Sequence, residues 1–411
     1  MTARPAGNGS STALPKARTL PATPAFDAAI YIHWPFCAAK CPYCDFNSHV
    51  RERIDQDCWR DGLLSEIDGF ADRYPGLRPL SVFFGGGTPS LMPDETVAAV
   101  LAHLRTRWPH ADWPALEVTL EANPTSVDAQ RFRGYAHAGV NRLSMGIQAL
   151  NDTDLKLLGR WHSVAEALRA LDVARDNFKR ISFDLIYARP GQSLATWRRE
   201  LGRALAFSPS HLSLYQLTIE EGTAFYQRHR RGEFTLPDED QSHALFMETQ
   251  SLCGSAGLPA YEISNHAAKG QESRHNLAYW RGDFYVGIGP GAHGRLPGDQ
   301  PGAALAHSQV RRPEGWLDAV VADGIALFEA TTVTPRDRFE EMLMMGLRLK
   351  GGIDLADLGQ RTALGPQDWP VNRPALEAMI ASGHLRREGS RLAATELGWP
   401  LINHLVTRLI V

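Results

Sequence analysis

The chain has 411 residues, a formal net charge of −3 and 44% hydrophobic residues, enough to bury one large core and a smaller one. That charge balance removes any electrostatic case for nucleic acid or a polyanionic membrane, and no apolar run approaches the ~20 residues needed to span a bilayer. Five cysteines, an odd number with no export signal, argue against a disulfide framework and lead to the expectation of a cytoplasmic protein.

Residues 1–27 are rich in Ala, Pro, Ser, Thr and Gly and hold no acid before Asp27. Such a composition does not offset its chain entropy and reads as a disordered N-terminal extension. A mitochondrial presequence has a similar composition, but Pro5, Pro15, Pro21 and Pro24 would break the amphipathic helix such a leader needs. From residue 29, short β-branched or aromatic runs alternate with helix-patterned segments. Strands are expected at 30–33, 80–84, 116–120, 142–145, 181–185 and 212–217. Helices are expected between them at 57–70, 94–107, 128–138, 163–177 and 194–206. This alternation calls for a parallel sheet, doubly wound or curled into a barrel. Cys37, the Gly-Gly-Gly-Thr turn at 85–88, Glu121, Gln148 and Asp184 each stand just past the end of a predicted strand. One polar contribution per strand is the pattern of a barrel mouth, whereas a doubly wound sheet gathers its ligand at one crevice. The fold class expected is therefore α/β, a partial (β/α)6 TIM-like barrel over residues 28–235.

Residues 236–330 read as an extension, with one helix pattern at 241–253, aromatic-rich loops, and a variable Pro- and Gly-containing stretch at 297–325. Residues 331–411 combine helical segments with two short runs at 383–385 and 391–393, a small helical, winged-helix-like C-terminal domain. It lacks the basic recognition helix of a DNA binder.

Cys37, Cys41 and Cys44 form a C-x3-C-x2-C run. Three thiolates on one tight loop suit three corners of an iron–sulfur cubane and leave the fourth iron open to chelate a ligand. A structural zinc site closed by His33 or His49 is the other reading of these residues. Cys58 and Cys253 lie outside the run and read as ordinary thiols. The glycine turn permits positive φ and brings backbone N–H groups close to a ligand, although a glycine run alone is often only a turn.

The cysteine run followed by the glycine turn resembles the radical S-adenosylmethionine (SAM) superfamily. Over residues 28–411 the chain resembles its oxygen-independent coproporphyrinogen III oxidase-like branch. The resemblance implies a 4Fe–4S cluster on Cys37, Cys41 and Cys44. It implies SAM held by Tyr31, Tyr43, Gly86, Gly87, Thr88, Glu121, Gln148, Arg160 and Asp184. Carboxylates and amides are a sensible lining for a ligand with a sulfonium, an ammonium and a ribose diol. The implied chemistry is reductive cleavage of SAM to a 5′-deoxyadenosyl radical.

Within the branch, the decarboxylating oxidase carries a fourth cysteine two positions after the third. Phe46 stands there instead, a form that resembles the HemW group of haem chaperones. The segment His275-Asn-Leu-Ala-Tyr-Trp280 resembles their H-N-x-x-Y-W motif, which implies His275 as a haem ligand with Tyr279 and Trp280 beside the porphyrin. The implied partners are haem and haem-accepting proteins such as respiratory cytochromes, with any membrane association made through those acceptors and no role for nucleic acid. The electron donor is left open. Oxidative decarboxylation of coproporphyrinogen III to protoporphyrinogen IX is the alternative function. The glycines at 287–291 look like a dinucleotide loop but lack the βαβ context, and Pro290 removes a donor.

Overall fold

The structure, a computed structural model, describes residues 25–410, so nearly all of the expected disordered extension lies outside the described residues. Six parallel strands, Phe26–Trp34, Leu77–Gly86, Glu117–Ala122, Arg142–Gln148, Arg180–Tyr187 and His211–Gln216, lie side by side in chain order. The helices Gln56–Arg73, Asp94–Arg107, Ser126–Ala138, Val164–Asn177 and Leu194–Ala206 connect them, and the first four pack consecutively against one another. A strand order without reversal sends every right-handed crossover to the same face and leaves the other face as the hollow of a partial barrel. The α/β partial-barrel fold read from the sequence is the fold observed.

Strand periodicity sorts the side chains. In the first strand Ala28, Ile30, Ile32 and Trp34 join Leu63, Ile67 and Phe70 of the first helix in the main core, so Ala29, Tyr31 and His33 turn to the hollow. The same alternation makes the inner wall polar: Glu117, Thr119 and Glu121 stand beside Arg142 and Ser144, and these beside Ser182, Asp184 and Ser213. Helix starts are marked by Asp55, Ser163 and Ser193, whose side chains accept from backbone N–H groups of the first turn. Each such cap contributes about 1 kcal/mol. Glu66 sits fully buried in the apolar stripe of the first helix. It accepts from the Gly289 N–H at 2.7 Å, Trp316 Nε1 at 3.0 Å and the Ala326 N–H at 3.1 Å, and burial raises its pKa to about 7.

The sheet continues past the barrel. Phe284–Ile288 pairs in parallel with the free side of the first strand, and His293–Pro297, Ala304–Gln309 and Leu327–Val333 add on antiparallel. Asn265–Ala267 covers the other edge. The stretch expected to be loops thus holds regular strands and two helices, Arg274–Trp280 and Pro313–Asp323. Ala, Ser and Gln in Ala304–Gln309 carry little strand signal of their own; pairing on both sides, not propensity, makes the strand.

A second core gathers Phe339, Leu343, Leu358, Trp399 and Leu409, around a three-stranded sheet of Ile353–Asp354, Arg391–Ala394 and Leu385–Glu388. Arg361 donates to the carbonyls of Arg281 and Gly282, both at 2.7 Å, and the Arg338 guanidinium lies 4.4 Å from the Phe284 ring centre. These contacts fasten the C-terminal helices to the extended sheet. Among the described residues no helix is long and apolar enough to cross a membrane.

Candidate functional site

Beyond Trp34 the chain enters the cysteine loop, pinned at its base where Phe36–Cys37 pairs with His49–Val50. The glycine turn docks directly on this base: the Gly87 N–H donates to the Trp34 carbonyl at 2.7 Å and the Thr88 N–H to the Phe36 carbonyl at 2.8 Å. A Cβ on Gly87 would stand 2.7 Å from the Phe36 oxygen and 2.9 Å from that of Trp34, too close for any other residue. Gly86, at φ +110°, lies beside the Glu121 carboxylate and draws its pKa back down. The turn was expected to present its N–H groups to a ligand; those of residues 87 and 88 instead serve acceptors within the protein. Asn47 clamps the far side of the loop, its Nδ2 donating to the Pro290 and Arg311 carbonyls at 2.9 Å each.

Cys37, Cys41 and Cys44 face a cleft of about 1090 Å³, open to solvent, at the carboxyl ends of the strands. Thr88 Oγ1 donates to Cys37 Sγ and Arg160 Nη1 to Cys41 Sγ, both at 3.4 Å, while Ser48 Oγ lies 4.0 Å from Cys44 Sγ. Arg160 Nη2 also donates to Asn123 Oδ1 at 2.5 Å and the Gly146 carbonyl at 2.8 Å, and Asn123 Nδ2 to Thr88 Oγ1 at 3.3 Å. One hydrogen-bonded chain therefore runs from Cys37 through Thr88, Asn123 and Arg160 to Cys41. Sequence reasoning missed Asn123; its signal was a second polar group just past the same strand end as Glu121.

Burial pushes the thiols of Cys37 and Cys44 up, so a cationic iron centre is what would hold them as thiolates. The histidines considered as a fourth zinc ligand are engaged elsewhere. His33 Nε2 meets the Asn47 carbonyl at 2.9 Å and His49 Nε2 meets Asn47 Oδ1 at 3.2 Å. Among the described residues no three His, Cys, Asp or Glu side chains converge on a point that would hold a single metal ion. A cubane offers irons at separate corners, so its thiolates need not converge. Three thiols ringed by hydrogen-bond donors suit that group.

Tyr43, Gly86, Gly87, Thr88, Glu121, Gln148, Arg160 and Asp184 line the same cleft. Gln148 has φ +72°, unusual for a residue with a side chain, and follows a register shift between Met145 and Gln148. Strain and bulges of this kind gather at functional sites, where they re-aim a side chain. Burial, then the charge of Asp184, raises Glu121 to about 8; burial raises Asp184 to about 6, with Ser213 and Arg142 pulling it back. Two acids held above their ordinary range favour a cationic ligand, which restores their charged form. Phe46, 61% exposed, and Trp161, 77% exposed, stand on the rim.

Two expected site residues stand elsewhere. Tyr31 lies one layer below the cleft lining, its hydroxyl 3.1 Å from His33 Nδ1 and its ring stacked on Phe83. His275 is 2% exposed, against the inner face of the barrel. Its Nδ1 lies 2.8 Å from Ser81 Oγ, its Nε2 3.1 Å from the Tyr279 hydroxyl, and its backbone N–H donates to Glu117 Oε1 at 3.1 Å. The ring stacks on Phe83 at 4.8 Å and 22°, and burial lowers its pKa to about 3, so the imidazole is neutral.

A partial barrel of sequential strands, with three cysteines on the first strand-end loop and acids on those that follow, defines a radical SAM protein of the coproporphyrinogen oxidase-like branch. Residues 31–202 match the radical SAM superfamily and residues 333–401 the HemN C-terminal domain. In fold the chain is similar to coproporphyrinogen III oxidase (HemN) from Escherichia coli, with a TM-score of 0.79 over 94% of this chain and 91% of that one at 21% identity. It is 37% identical to the heme chaperone HemW of Escherichia coli over 92% of this chain and 97% of that protein. It is 36% identical to the heme chaperone HemW of Haemophilus influenzae over 92% of this chain and 96% of that protein. With the mouse "Radical S-adenosyl methionine domain-containing protein 1, mitochondrial" it shares 40% identity over 79% of this chain and 74% of that protein. The chain belongs to the HemW family.

Proposed function

We propose that the protein is a haem chaperone. It carries a 4Fe–4S cluster on Cys37, Cys41 and Cys44 with SAM in the adjoining cleft, and passes haem to acceptor proteins such as respiratory cytochromes. It works in the cytoplasm and meets membranes only through those acceptors. The observation that carries this reading is the near full-length likeness to heme chaperones from two bacteria, joined by Phe46 where the oxidase resemblance would require a cysteine.

A cluster held by the three cysteines would, once reduced by an external donor, supply one electron to the sulfonium of SAM. The chain's own residues bind and orient. Thr88 and Arg160 donate hydrogen bonds to cysteine sulfurs, and Glu121 and Asp184 offer negative charge to the cationic groups of SAM. Gln148 contributes an amide, and Phe46 and Trp161 give the rim apolar surface. His275 reaches a haem iron only once the helix Arg274–Trp280 releases it from Ser81 and Tyr279, which couples ligation to an opening of that helix.

Optical titration of the purified protein with haem, wild type against His275→Ala, tests this. A Soret shift in the wild type that the variant loses supports chaperone and ligand alike; an identical shift in both removes His275 as the ligand. Absence of haem binding in the wild type sinks the chaperone reading. Anaerobic conversion of coproporphyrinogen III to protoporphyrinogen IX by reconstituted protein would make it the oxidase instead.

A further inference from the structure

Arg142 is 3% exposed on the inner wall of the barrel, and among the described residues its guanidinium has no hydrogen-bond partner. The acid whose charge acts most strongly on it, Glu117, is already committed: it takes a hydrogen bond from Arg180 at 2.6 Å and another from the backbone of His275. Thr119, the register partner of Arg142 on the neighbouring strand, is fully buried, and its hydroxyl is unpartnered too. A cation and a hydroxyl thus stand side by side, one inner-face step below Glu121 and Ser144, which line the cleft.

An unpaired buried guanidinium is costly to keep, and buried polar groups in folded proteins are completed by a partner. The planar fork of an arginine matches a carboxylate with two parallel hydrogen bonds, and a neighbouring hydroxyl adds a third donor. The cleft above them narrows the choice of carboxylate. Exposed aromatic rings at the rim and a cation at the floor are complementary to a flat apolar ring system with acidic arms. We infer that Arg142 and Thr119 form a carboxylate subsite at the floor of the hollow that takes a propionate arm of a tetrapyrrole. This rests on the haem-handling function proposed above.

The test compares haem with its dimethyl ester, which keeps the ring and iron but lacks free carboxylates. Both are titrated against wild type, Arg142→Gln and Thr119→Val, with folding checked by circular dichroism and SAM binding measured in parallel by equilibrium dialysis. Wild type should bind haem about tenfold or more tighter than the ester. Arg142→Gln should bring haem down to the ester's affinity and leave the ester unchanged, with a smaller change of the same kind for Thr119→Val. Equal affinities of wild type for haem and ester overturn the subsite while leaving the chaperone reading intact. So does an equal loss for both ligands in a folded Arg142→Gln protein. A variant that loses SAM while its preference for haem over the ester persists assigns the subsite to the carboxylate of SAM and overturns the propionate. If wild type binds neither porphyrin, the haem function falls and the subsite with it.

Discussion

Replacing His275 by alanine separates a packed residue from a freely presented ligand. The substitution removes contacts to Ser81 Oγ at 2.8 Å and the Tyr279 hydroxyl at 3.1 Å, leaving one buried and one half-buried hydroxyl without that partner. At about 1 kcal/mol for each hydrogen bond this is roughly 2 kcal/mol. The stack on Phe83 and the edge contact with Tyr279, both at 4.8 Å, add about 1 kcal/mol, and the space left behind a further fraction. The sum is about 3 kcal/mol, concentrated in the helix Arg274–Trp280 and the strand beneath it. Native-state hydrogen exchange reads this locally: amides of that helix should exchange about 100-fold faster in the variant if they open sub-globally. Exchange within about threefold of wild type would refute the packing described. If haem ligation draws His275 out of the barrel, haem should accelerate the same amides in the wild type, and a haem complex that protects them would exclude that route.

Glu66→Ala should destabilise the protein by about 3–5 kcal/mol, because three buried donors lose one acceptor, with Glu66→Gln retaining part of the loss; chemical denaturation followed by tryptophan fluorescence checks both. Thr88→Val removes the hydrogen bond to Cys37 Sγ and should lower the reduction potential of the reconstituted cluster with its iron content unchanged, read by anaerobic redox titration; an unmoved potential would show that bond to be inert. Glu121 and Asp184, raised to about 8 and about 6, bind protons in the folded chain that the unfolded chain has released. Their contribution to stability is therefore full below the ordinary carboxylate range and is lost as pH climbs through about 6 and then about 8. SAM, being cationic, should release protons on binding and bind more tightly as pH rises over that range. Calorimetry in buffers of different ionisation enthalpy measures the released protons, and none would contradict the assignment of these acids to the ligand.

What the sequence revealed and what it hid divide along a physical line. The cysteine run is legible because its three thiols lie within eight residues, and Glu121, Gln148 and Asp184 because each ends a recognisable apolar run. The partners of His275 and Glu66 are not local. Ser81 is 194 residues from His275, and Gly289 and Ala326 are 223 and 260 residues from Glu66, so no window of sequence contains both members of a pair. Half of the Glu66 signal was nevertheless on view: an acid in line with Trp59, Leu63, Ile67 and Phe70 has no reason to face a core unless donors await it. Arg142 carried a similar hint, a charge at the start of a strand whose inner positions face a hollow. The glycine turn misled in an instructive way. Small residues there signalled close approach, but the approaching group is the protein's own backbone at Trp34 and Phe36.

The first strand lies between Leu77–Gly86 and Phe284–Ile288, and the anchors of Asn47 sit later still, at Pro290 and Arg311. On the ribosome, then, one edge of that strand waits unpaired while more than two hundred further residues are made. Throughout that interval the cysteine loop can be held at its base by His49–Val50 and the glycine turn but lacks its Asn47 anchors. For the cluster proposed above, this places the loading of iron and sulfide after translation, when both anchors are in place.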